Sequence, residues 1–336
     1  MSIRNIAISV MLCALPLAAF AADDDGIMGN WKGAFDNPAW AGTALEAQVI
    51  ATAHKDEIRT WQMILSVNDE VVSKSIIGQQ LAQGGQPQGP AAFAGEASIN
   101  GNTYAFGGEA GMDETMTGMI QADGDTIAFT MTRLHIESPT LGQAPPEGAI
   151  VLLDGTNTDN WIRVPEKWPL VGDGAMEVSG SQLMTIQKMG SGKYHVEFRS
   201  PFEPNDTGQA RGNSGVYLLG VYEIQVLDSF GLDPADNLCG GLYSQAVPLV
   251  NACLPPLSWQ TYDIDFQAAE FDADGNKTKN ARITAYLNGV LIHNDLELTD
   301  NTPGGLSGDE PSEGNLMLQD HGDRVRYRNI WFVPAK

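Results

Sequence analysis

Short segments in which apolar and polar residues alternate run through the first third of the chain. Glycine, asparagine or aspartate separates most of these segments, which are GNWKGAF, LEAQVIATA, TWQMILSV, GEASI, TYAFGGEA, MTGMIQA and TIAFTMTRL. Alternation with a period of two places successive side chains on opposite faces of a strand. Short strands divided by turn residues are typical of an antiparallel meander, either a small barrel or an open sheet. We therefore predict a smaller antiparallel β domain over residues 23–136.

A proline-rich stretch, ESPTLGQAPPEGA at 137–149, interrupts the alternation. Proline restricts its own backbone and that of the residue before it, so such a stretch is typically extended. The sequence thus predicts a linker over 137–149 and a second domain over 150–336.

The second half alternates again, and one parity of each segment is apolar. The segments that show this are HVEFR, YEIQVLD, WQTYDIDF, ARITAYLNG and RVRYRNIWF, and in the last one Val325, Tyr327 and Trp331 form the apolar parity. A two-sheet sandwich explains the pattern, with the apolar parities in the core and the polar parities outside. Because planar and forked hydrogen-bonding groups suit sugar hydroxyls and carboxylates, we predict a sugar-binding groove on the polar face. The alternative is a face that merely meets water.

The first residues have the layout of a secretory signal peptide. A basic residue, an apolar run and a small-residue cleavage site follow one another within residues 1–22. No later apolar stretch is long enough to span a bilayer. The mature protein is therefore expected to be periplasmic or secreted, without membrane insertion.

Acidic residues outnumber basic ones by 42 to 19, which gives a formal net charge of −23. Such a surface repels phosphate backbones, so nucleic acid is excluded as a partner. Beyond the signal peptide only Cys239 and Cys253 remain, both in a loop rich in glycine and proline. In an oxidising compartment we expect them to pair as a disulfide, worth about 3 kcal/mol for a loop of this size.

A set of motifs in the second half resembles one known family. In order they are VLLDGTNTDNW, GNSGVYL, YEIQVLDSFG, CGGLY, WQTYDIDF, ITAYLNGVLIHNDLEL and LQDHGDRVRYRNIW. Together they closely resemble the 3-keto-disaccharide hydrolases, also described as 3-keto-glucoside 1,2-lyase/2-hydroxy-glucal hydratases. The resemblance implies a concanavalin-like jelly roll, export, and cleavage of glycosides oxidised to a ketone at carbon 3. One position departs from the pattern, because relatives often carry arginine where this chain has Val221.

The chemistry implied by this resemblance is β-elimination across carbons 1 and 2 followed by hydration. It requires a base, an acid and a group that stabilises an enolate. His321 is the candidate base or metal ligand, with Asp320 or Gln319 to orient it. Glu223 is the candidate acid, second base or ligand of a divalent metal ion. The structural alternative for the QDHGD segment is a polar turn whose aspartates bind backbone amides.

The remaining candidates bind substrate. Arg326 and Arg328 are expected to hold the enolate or sugar hydroxyls. Further positioning groups are predicted at Gln225, Asn213, Tyr243, Trp259 and Gln319.

Two other functions stay open at this point. One is a non-catalytic carbohydrate-binding module, since the same sandwich serves lectins. The other is a retaining β-glycanase that uses Glu223 and Asp228, which requires two carboxyl groups about 5 to 5.5 Å apart. These two residues fall on opposite parities unless a β-bulge intervenes.

Overall fold

The computed structural model of the protein describes residues 26–162, 168–306 and 310–335. Regular structure in these ranges is β, apart from short 3₁₀ helices at Pro38–Trp40, Gly172–Gly174 and Gly208–Ala210. The predicted all-β class is confirmed. The predicted signal peptide lies outside the described residues, and no helix within them is long and apolar enough to cross a membrane.

The first half is an antiparallel meander closed into a barrel. Its strands are β1 Gly29–Phe35, β2 Leu45–Lys55, β3 Ile58–Val67, β4 Glu70–Gln83, β5 Gln86–Pro87, β6 Ala91–Ile99, β7 Asn102–Ala110, β8 Thr115–Ala122 and β9 Asp125–Leu134. They pair in the order β3-β2-β1-β9-β8-β7-β6-β4-β5, and a further pairing of β3 with β4 closes the ring. Of the two forms that the sequence left open, the structure has the barrel.

Side chains fill the barrel interior. Trp31, Trp61, Phe93 and Phe129 are all at most 2% exposed and belong to one apolar cluster. Glycine makes room for such rings, since a Cβ at Gly78 would lie 2.3 Å from the Phe93 ring. An eight-stranded barrel is just wide enough for side chains to fill it. The interior is therefore a packed core.

The described part of the second half contains fifteen strands, which follow the predicted linker. They are β10 Ile150–Leu153, β11 Trp161–Ile162, β12 Leu170–Val171, β13 Ala175–Glu177, β14 Leu183–Met189, β15 Gly192–Arg199, β16 Ser214–Leu218, β17 Tyr222–Val226, β18 Gln260–Gln267, β19 Glu270–Phe271, β20 Lys277–Lys279, β21 Ala281–Leu287, β22 Val290–Leu298, β23 Gly314–Leu318 and β24 Arg326–Pro334. One sheet has eight strands in the order β12-β13-β24-β15-β18-β21-β22, with β10 also paired to β24. A second sheet has five strands in the order β11-β14-β23-β16-β17, and β19 and β20 form a separate hairpin.

The two sheets share one core. Apolar residues of both sheets form a single buried cluster, as a sandwich requires. Tyr222 of β17 meets Phe266 of β18 with ring centroids 5.8 Å apart. Tyr327 of β24 donates a hydrogen bond to Ser214 at the start of β16, with Oη 2.7 Å from Oγ. The predicted sandwich, with Tyr222, Tyr327 and their apolar parities inside, is confirmed.

The five alternating segments do not form the single groove floor that the sequence had predicted, because they are divided between the two sheets. The segment YEIQV forms β17 of the five-stranded sheet, whereas the other four alternating segments belong to the eight-stranded sheet. Polar parities of the two sheets both point away from the shared core. Glu223 of β17 and Arg326 of β24 therefore lie on opposite sides of the sandwich.

A bulge changes the parity of β24. Asn329 has a φ of 44°, and the pairing of β24 with β15 shifts register between His195 and Glu197. Beyond the bulge Trp331 faces outward and stacks on the His195 ring at 4.9 Å. The assignment of Trp331 to the inner parity was wrong, since a bulge adds one residue to a strand and reverses the alternation after it.

The predicted linker, residues 137–149, packs on the outer face of the eight-stranded sheet, and we call it the strap. The Thr140 hydroxyl donates to Asp263 Oδ2 at 2.6 Å, and the Gly142 amide donates to Glu197 Oε1 at 2.6 Å. This face is therefore covered and carries buried ion pairs in place of an open sugar groove.

The barrel docks on the sandwich through polar and apolar contacts. Phe230, which follows β17, belongs to the barrel's apolar cluster. The Arg211 guanidinium donates to the Ala51 carbonyl at 2.9 Å, and the His54 amide donates to Asn205 Oδ1 at 2.9 Å. These contacts fix the orientation of the two halves.

Cys239 and Cys253 are buried and are free thiols in the structure, which differs from the predicted disulfide. Each thiol has its own hydrogen-bond partner. Cys239 Sγ lies 3.4 Å from the Tyr262 hydroxyl, and Cys253 Sγ donates to the Leu254 carbonyl at 3.3 Å. Hydrogen bonds therefore hold this loop in the reduced form, and a bridge stays a prediction for the oxidised form.

Candidate active site

A pocket of about 240 Å³ opens on the outer face of the five-stranded sheet. It is lined by Gln209, Asn213, Glu223, Gln225, Tyr243, Pro303, Gly304, Gln319 and His321. The structure thus brings together six predicted site residues, which are Glu223, His321, Gln225, Asn213, Tyr243 and Gln319.

The hairpin of β16 and β17 builds the pocket floor. Gly215 pairs with Gln225 and Tyr217 pairs with Glu223, so all four side-chain positions face the same side of the sheet. The intervening residues of both strands are apolar and enter the sandwich core. Alternation along two adjacent strands therefore fixes the polar floor.

Glu223 lies on this floor and is 2% exposed. Its Oε2 accepts a hydrogen bond from the Tyr217 hydroxyl at 2.8 Å. Its Oε1 is buried without a hydrogen-bond partner. Burial raises the pKa of Glu223 to about 7, although the Tyr217 hydrogen bond lowers it. A carboxyl group with this pKa can donate or accept a proton near neutral pH.

Gly215 leaves the space that the Glu223 carboxylate occupies. A Cβ at position 215 would lie 2.1 Å from Glu223 Oε1, far closer than van der Waals contact. Any larger residue would displace the carboxylate. Gly215 is therefore needed at this position because it leaves room for the Glu223 carboxylate.

Two further acceptor atoms beside Glu223 also lack partners. Asn213 Oδ1 and Gln319 Oε1 are buried and unpaired, although the amide nitrogens of both residues are used. Asn213 Nδ2 donates to the Gln209 carbonyl at 2.8 Å, and Gln319 Nε2 donates to the Tyr217 hydroxyl at 3.2 Å. An unpaired buried acceptor costs roughly 1–3 kcal/mol. Three such acceptors around one pocket suit a ligand rich in hydroxyl donors.

The QDHGD turn contributes His321, an exposed residue, to the pocket. Its aspartates instead bind backbone amides. Asp320 Oδ1 accepts from the Gly322 amide at 2.9 Å, and Asp323 Oδ2 accepts from the Asn213 amide at 2.6 Å. The turn interpretation thus holds for Asp320, which does not line the pocket, whereas His321 does.

Three predicted substrate-binding residues lie away from the pocket. Arg326 Nε donates to Glu177 at 2.8 Å, and Arg328 Nε donates to Glu197 at 2.7 Å. The Arg328 guanidinium also stacks 4.0 Å from the Trp259 ring centroid. Arg326, Arg328 and Trp259 therefore stabilise the outer face of the eight-stranded sheet, because β24 belongs to that sheet.

Asp228, the proposed glycanase partner of Glu223, does not open into the Glu223 pocket. It is buried, and its Oδ2 accepts from Arg211 Nε at 2.6 Å. Asp228 is absent from the residues that line the Glu223 pocket. The structure thus uses it in an ion pair near the barrel.

Sequence reasoning missed two residues that complete the site. Tyr217 donates to Glu223, and Gln209 accepts from Gln225 Nε2 at 3.1 Å. The parity of GNSGVYL carried a signal for Tyr217, since it alternates with Gly215 away from the core. Gln209 lies in a 3₁₀ helix and has no such periodic signal.

The pocket also contains groups that could bind a divalent metal ion. Glu223 and His321 line one pocket together with the amide oxygens of Asn213 and Gln319. Over the described ranges, however, no three His, Cys, Asp or Glu side chains are grouped so that they could hold a metal ion. Glu223 and His321 are two such side chains in this pocket, and a divalent metal ion bound by them stays a prediction.

Comparison with solved structures gives one informative match. A crystal structure from Parabacteroides distasonis ATCC 8503, described as a "putative glycosyl hydrolase", is 33% identical, covers 56% of this chain and 85% of its own, and has a TM-score of 0.51. A second structure with the same description and organism is 17% identical, covers 56% and 95% of the two chains, and has a TM-score of 0.40. The comparison with curated proteins finds no significant match.

Comparison with sequence families agrees with the motifs of the second half. Residues 148–333 match the family described as the 3-keto-alpha-glucoside-1,2-lyase-like domain. The match spans the sandwich and every residue that lines the Glu223 pocket. It also covers more than half of the 336 residues. The chain therefore belongs to the 3-keto-alpha-glucoside-1,2-lyase-like family.

Proposed function

We propose that the protein cleaves 3-keto-glycosides by β-elimination across carbons 1 and 2, followed by hydration. Family membership and the likeness to a described glycosyl hydrolase support action on carbohydrate. The observation that carries the proposal is Glu223, a buried carboxyl with a pKa of about 7 and an unpaired oxygen in a pocket shared with His321. Elimination needs such proton-transfer groups and no nucleophile.

The ketone at carbon 3 makes the hydrogen on carbon 2 acidic. In the first step a base removes this proton, the carbon 1–oxygen bond breaks, and the departing oxygen takes a proton from an acid. In the second step water adds its hydroxyl to carbon 1, and a proton returns to carbon 2. The net result is hydrolysis without any change of redox state.

His321 and Glu223 divide these proton transfers. His321 takes the proton from carbon 2, exchanges it with solvent because the residue is exposed, and returns a solvent-derived proton to carbon 2. Glu223 is protonated below a pKa of about 7, so it donates to the departing oxygen and then accepts a proton from the attacking water. A group with a pKa near the working pH is efficient in both directions.

The ketone oxygen needs a hydrogen-bond donor as the enolate forms. Arginine does not line this pocket, so we assign the role to the Tyr243 hydroxyl. The Tyr243 amide donates to the Glu223 backbone carbonyl at 3.2 Å, and both residues line the pocket. The unpaired oxygens of Asn213 and Gln319 accept from sugar hydroxyls.

The test uses a 3-keto-α-glucoside and its unoxidised glucoside in heavy water. We expect product from the ketone alone, with deuterium at carbon 2 and a transient unsaturated sugar. Free 3-keto sugar without protein gives the background exchange. Cleavage of the unoxidised glucoside, or product without carbon 2 deuterium, contradicts the elimination route and favours a glycanase.

A non-catalytic carbohydrate-binding module gives binding of the ketone without turnover in the same assay. Two arms complete the experiment. A chelator arm tests whether Glu223 and His321 also bind a divalent metal, as the sequence predicted. The matched variants are Glu223→Gln, which removes the proposed acid, and Glu270→Gln, which neutralises an exposed glutamate paired with Lys279.

We also propose that the protein acts outside the cytoplasm. The basis is the signal-peptide layout of residues 1–22. N-terminal sequencing of protein from the exported fraction is expected to begin near residue 23, and an intact N-terminus there contradicts cleavage.

A further inference from the structure

A second cavity, of about 430 Å³, lies where the barrel meets the sandwich. Its lining is Arg59, Glu177, Arg199, Ser200, Pro201, Phe202, Leu257, Arg324 and Arg326. Four of these nine residues are arginines, in a chain with only 19 basic residues and a net charge of −23. We call this cavity the arginine cavity. Four arginines grouped in an acidic protein repel one another, so their grouping calls for an explanation.

One acidic residue, Glu177, lines the arginine cavity beside the four arginines. Glu177 contacts both Arg326, at 2.8 Å, and Arg324, at 3.7 Å. Arg199 lies 4.0 Å from Asp173. The lining itself therefore carries four guanidinium groups and one carboxylate, and like charges held together cost energy unless an anion joins them.

Arg59 brings a guanidinium from the barrel to this cavity. It lies on β3, and its Nη2 donates to the Gly85 carbonyl at 2.5 Å, a neutral partner. The partner carbonyl orients the group without cancelling its charge. Arg59 therefore adds a full positive charge to a cavity otherwise lined by the sandwich.

The barrel and sandwich hold these groups in a fixed arrangement. Asn205 and His54 exchange two hydrogen bonds, at 2.9 and 3.3 Å, and the His54 ring contacts Phe202 of the cavity at 5.4 Å. The hydroxyl of Ser200 is buried in the same lining without a hydrogen-bond partner. Preorganised guanidinium groups with a spare hydroxyl are suited to an oxyanion, which accepts several hydrogen bonds at once.

We propose that the arginine cavity binds a small oxyanion, namely a carboxylate, sulfate or phosphate group, and has room for a saccharide that carries it. Arg59, Arg199, Arg324 and Arg326 supply the charge, and Ser200 supplies a hydroxyl. The site is separate from the Glu223 pocket, since the two share no lining residue. The proposal does not depend on the proposed catalytic function.

Calorimetric titration of the full chain at fixed low ionic strength tests it. Sulfate, phosphate and glucuronate are the probes, and methyl glucoside is the neutral control. We expect the anions to bind and methyl glucoside not to bind at this cavity. Tighter binding of glucuronate than of sulfate identifies an acidic saccharide as the ligand, and the reverse order identifies an inorganic or ester anion. No binding of any of the three anions at millimolar concentration overturns the proposal.

Variants locate the binding. Arg59→Gln combined with Arg324→Gln is expected to weaken anion binding at least tenfold, because the double variant removes two of the four charged donors. Arg282→Gln is the matched control, since this arginine pairs with Asp295 at 2.6 Å on another surface, and its affinity should stay within about twofold. Equal affinity in the double variant and the wild type rejects the site. The single variant Arg59→Lys, which keeps the charge, guards against loss of fold and should retain most of the binding.

Discussion

The buried Glu223 carboxyl destabilises the folded protein when it is ionised, and the same burial gives it the pKa that proton transfer requires. The residue is 2% exposed, and burial is the largest influence on its pKa, so its ionised form is poorly solvated. Natural sites accept such a cost where the chemistry requires a shifted pKa. The effect of the buried Glu223 carboxyl on the free energy of unfolding can be measured.

Glu223→Gln is expected to stabilise the protein at high pH and to abolish most activity. Burial raises the pKa of Glu223 from 4.5 to about 7. Below pH 4.5 the carboxyl is protonated in both the folded and the unfolded protein. As the pH rises from 4.5 to about 7 the carboxyl ionises only in the unfolded protein, so the free energy of unfolding falls by about 3 kcal/mol in total. The variant should lack this loss and should lose about 10²- to 10⁴-fold in kcat/KM. Urea unfolding from pH 4 to 9 measures the first effect.

Glu270→Gln is the control for this experiment and should keep the wild-type pH dependence of stability. The interpretation fails if Glu223→Gln and the wild type lose stability in parallel between pH 4.5 and 7.

Tyr217→Phe is expected to move the pH profile of activity. The Tyr217 hydroxyl donates to Glu223 Oε2 and lowers the pKa of that carboxyl. Without this bond the pKa rises above about 7, so Glu223 stays protonated to higher pH. If Glu223 is the acid, the alkaline limb of kcat/KM then shifts upward. A limb that stays in place in Tyr217→Phe argues against Glu223 as the titrating group, and Tyr286→Phe on the other sheet serves as the unshifted reference.

At the scale of elements, the alternation of apolar and polar residues predicted which side chains of a strand face the core. It did not predict which of the two sheets the strand joins. It correctly separated Glu223 from Tyr222 on β17 and Glu197 from Val196 on β15. Membership of a sheet depends on long-range pairing, which a single strand's pattern does not contain. The sequence therefore predicted most of the polar pocket floor, and it misplaced Arg326 in it.

Local turns and bulges limited the prediction in another way. The bulge at Asn329 reversed the parity of Trp331, and alternation alone gives no warning of an inserted residue. The strap is rich in proline, as linkers are, yet it packs against the sheet. Its contacts to the sheet come from backbone amides and short hydroxyl side chains, such as those of Gly142 and Thr140. A solvated loop contains the same groups, so the composition of the strap did not predict that it would pack.

The strap depends on Glu197 below it. Burial raises the pKa of this carboxyl, but hydrogen bonds from His195, Asn329 and Arg328 outweigh burial and bring it to about 2. Glu197→Gln is expected to destabilise the protein at pH 7 by about 3–5 kcal/mol, because Arg328 then lacks its buried partner. Glu137 and Glu147 of the strap are already exposed, and loosening the strap should free the backbone around them so that a glutamate-specific protease cleaves there faster.

Asp265→Asn is the matched control, since this residue pairs with Lys193 on the exposed part of the same sheet. An unchanged cleavage rate in Glu197→Gln shows that the carboxylate does not hold the strap.

At the scale of the whole molecule, the barrel is completed by a residue of the other half. Phe230 follows β17 and is 2% exposed within the barrel's apolar cluster. Next to it, a Cβ at Gly231 would lie 2.4 Å from Ile50 of β2, so the chain passes close to the barrel wall. Because the same loop continues from the strand that carries Glu223, the two halves should unfold together.

Phe230→Ala is therefore expected to destabilise the barrel although position 230 lies in the sandwich sequence. Truncation of a buried phenylalanine costs about 3–5 kcal/mol through lost burial and the cavity left behind. Circular dichroism and tryptophan fluorescence, followed through urea unfolding, should show one coincident transition at lower urea than in the wild type. Leu232→Ala is the neighbouring control, because Leu232 is 45% exposed and its removal should cost far less. Two separated transitions in Phe230→Ala, with the sandwich transition unmoved, would show that the halves fold independently and that Phe230 only anchors the barrel.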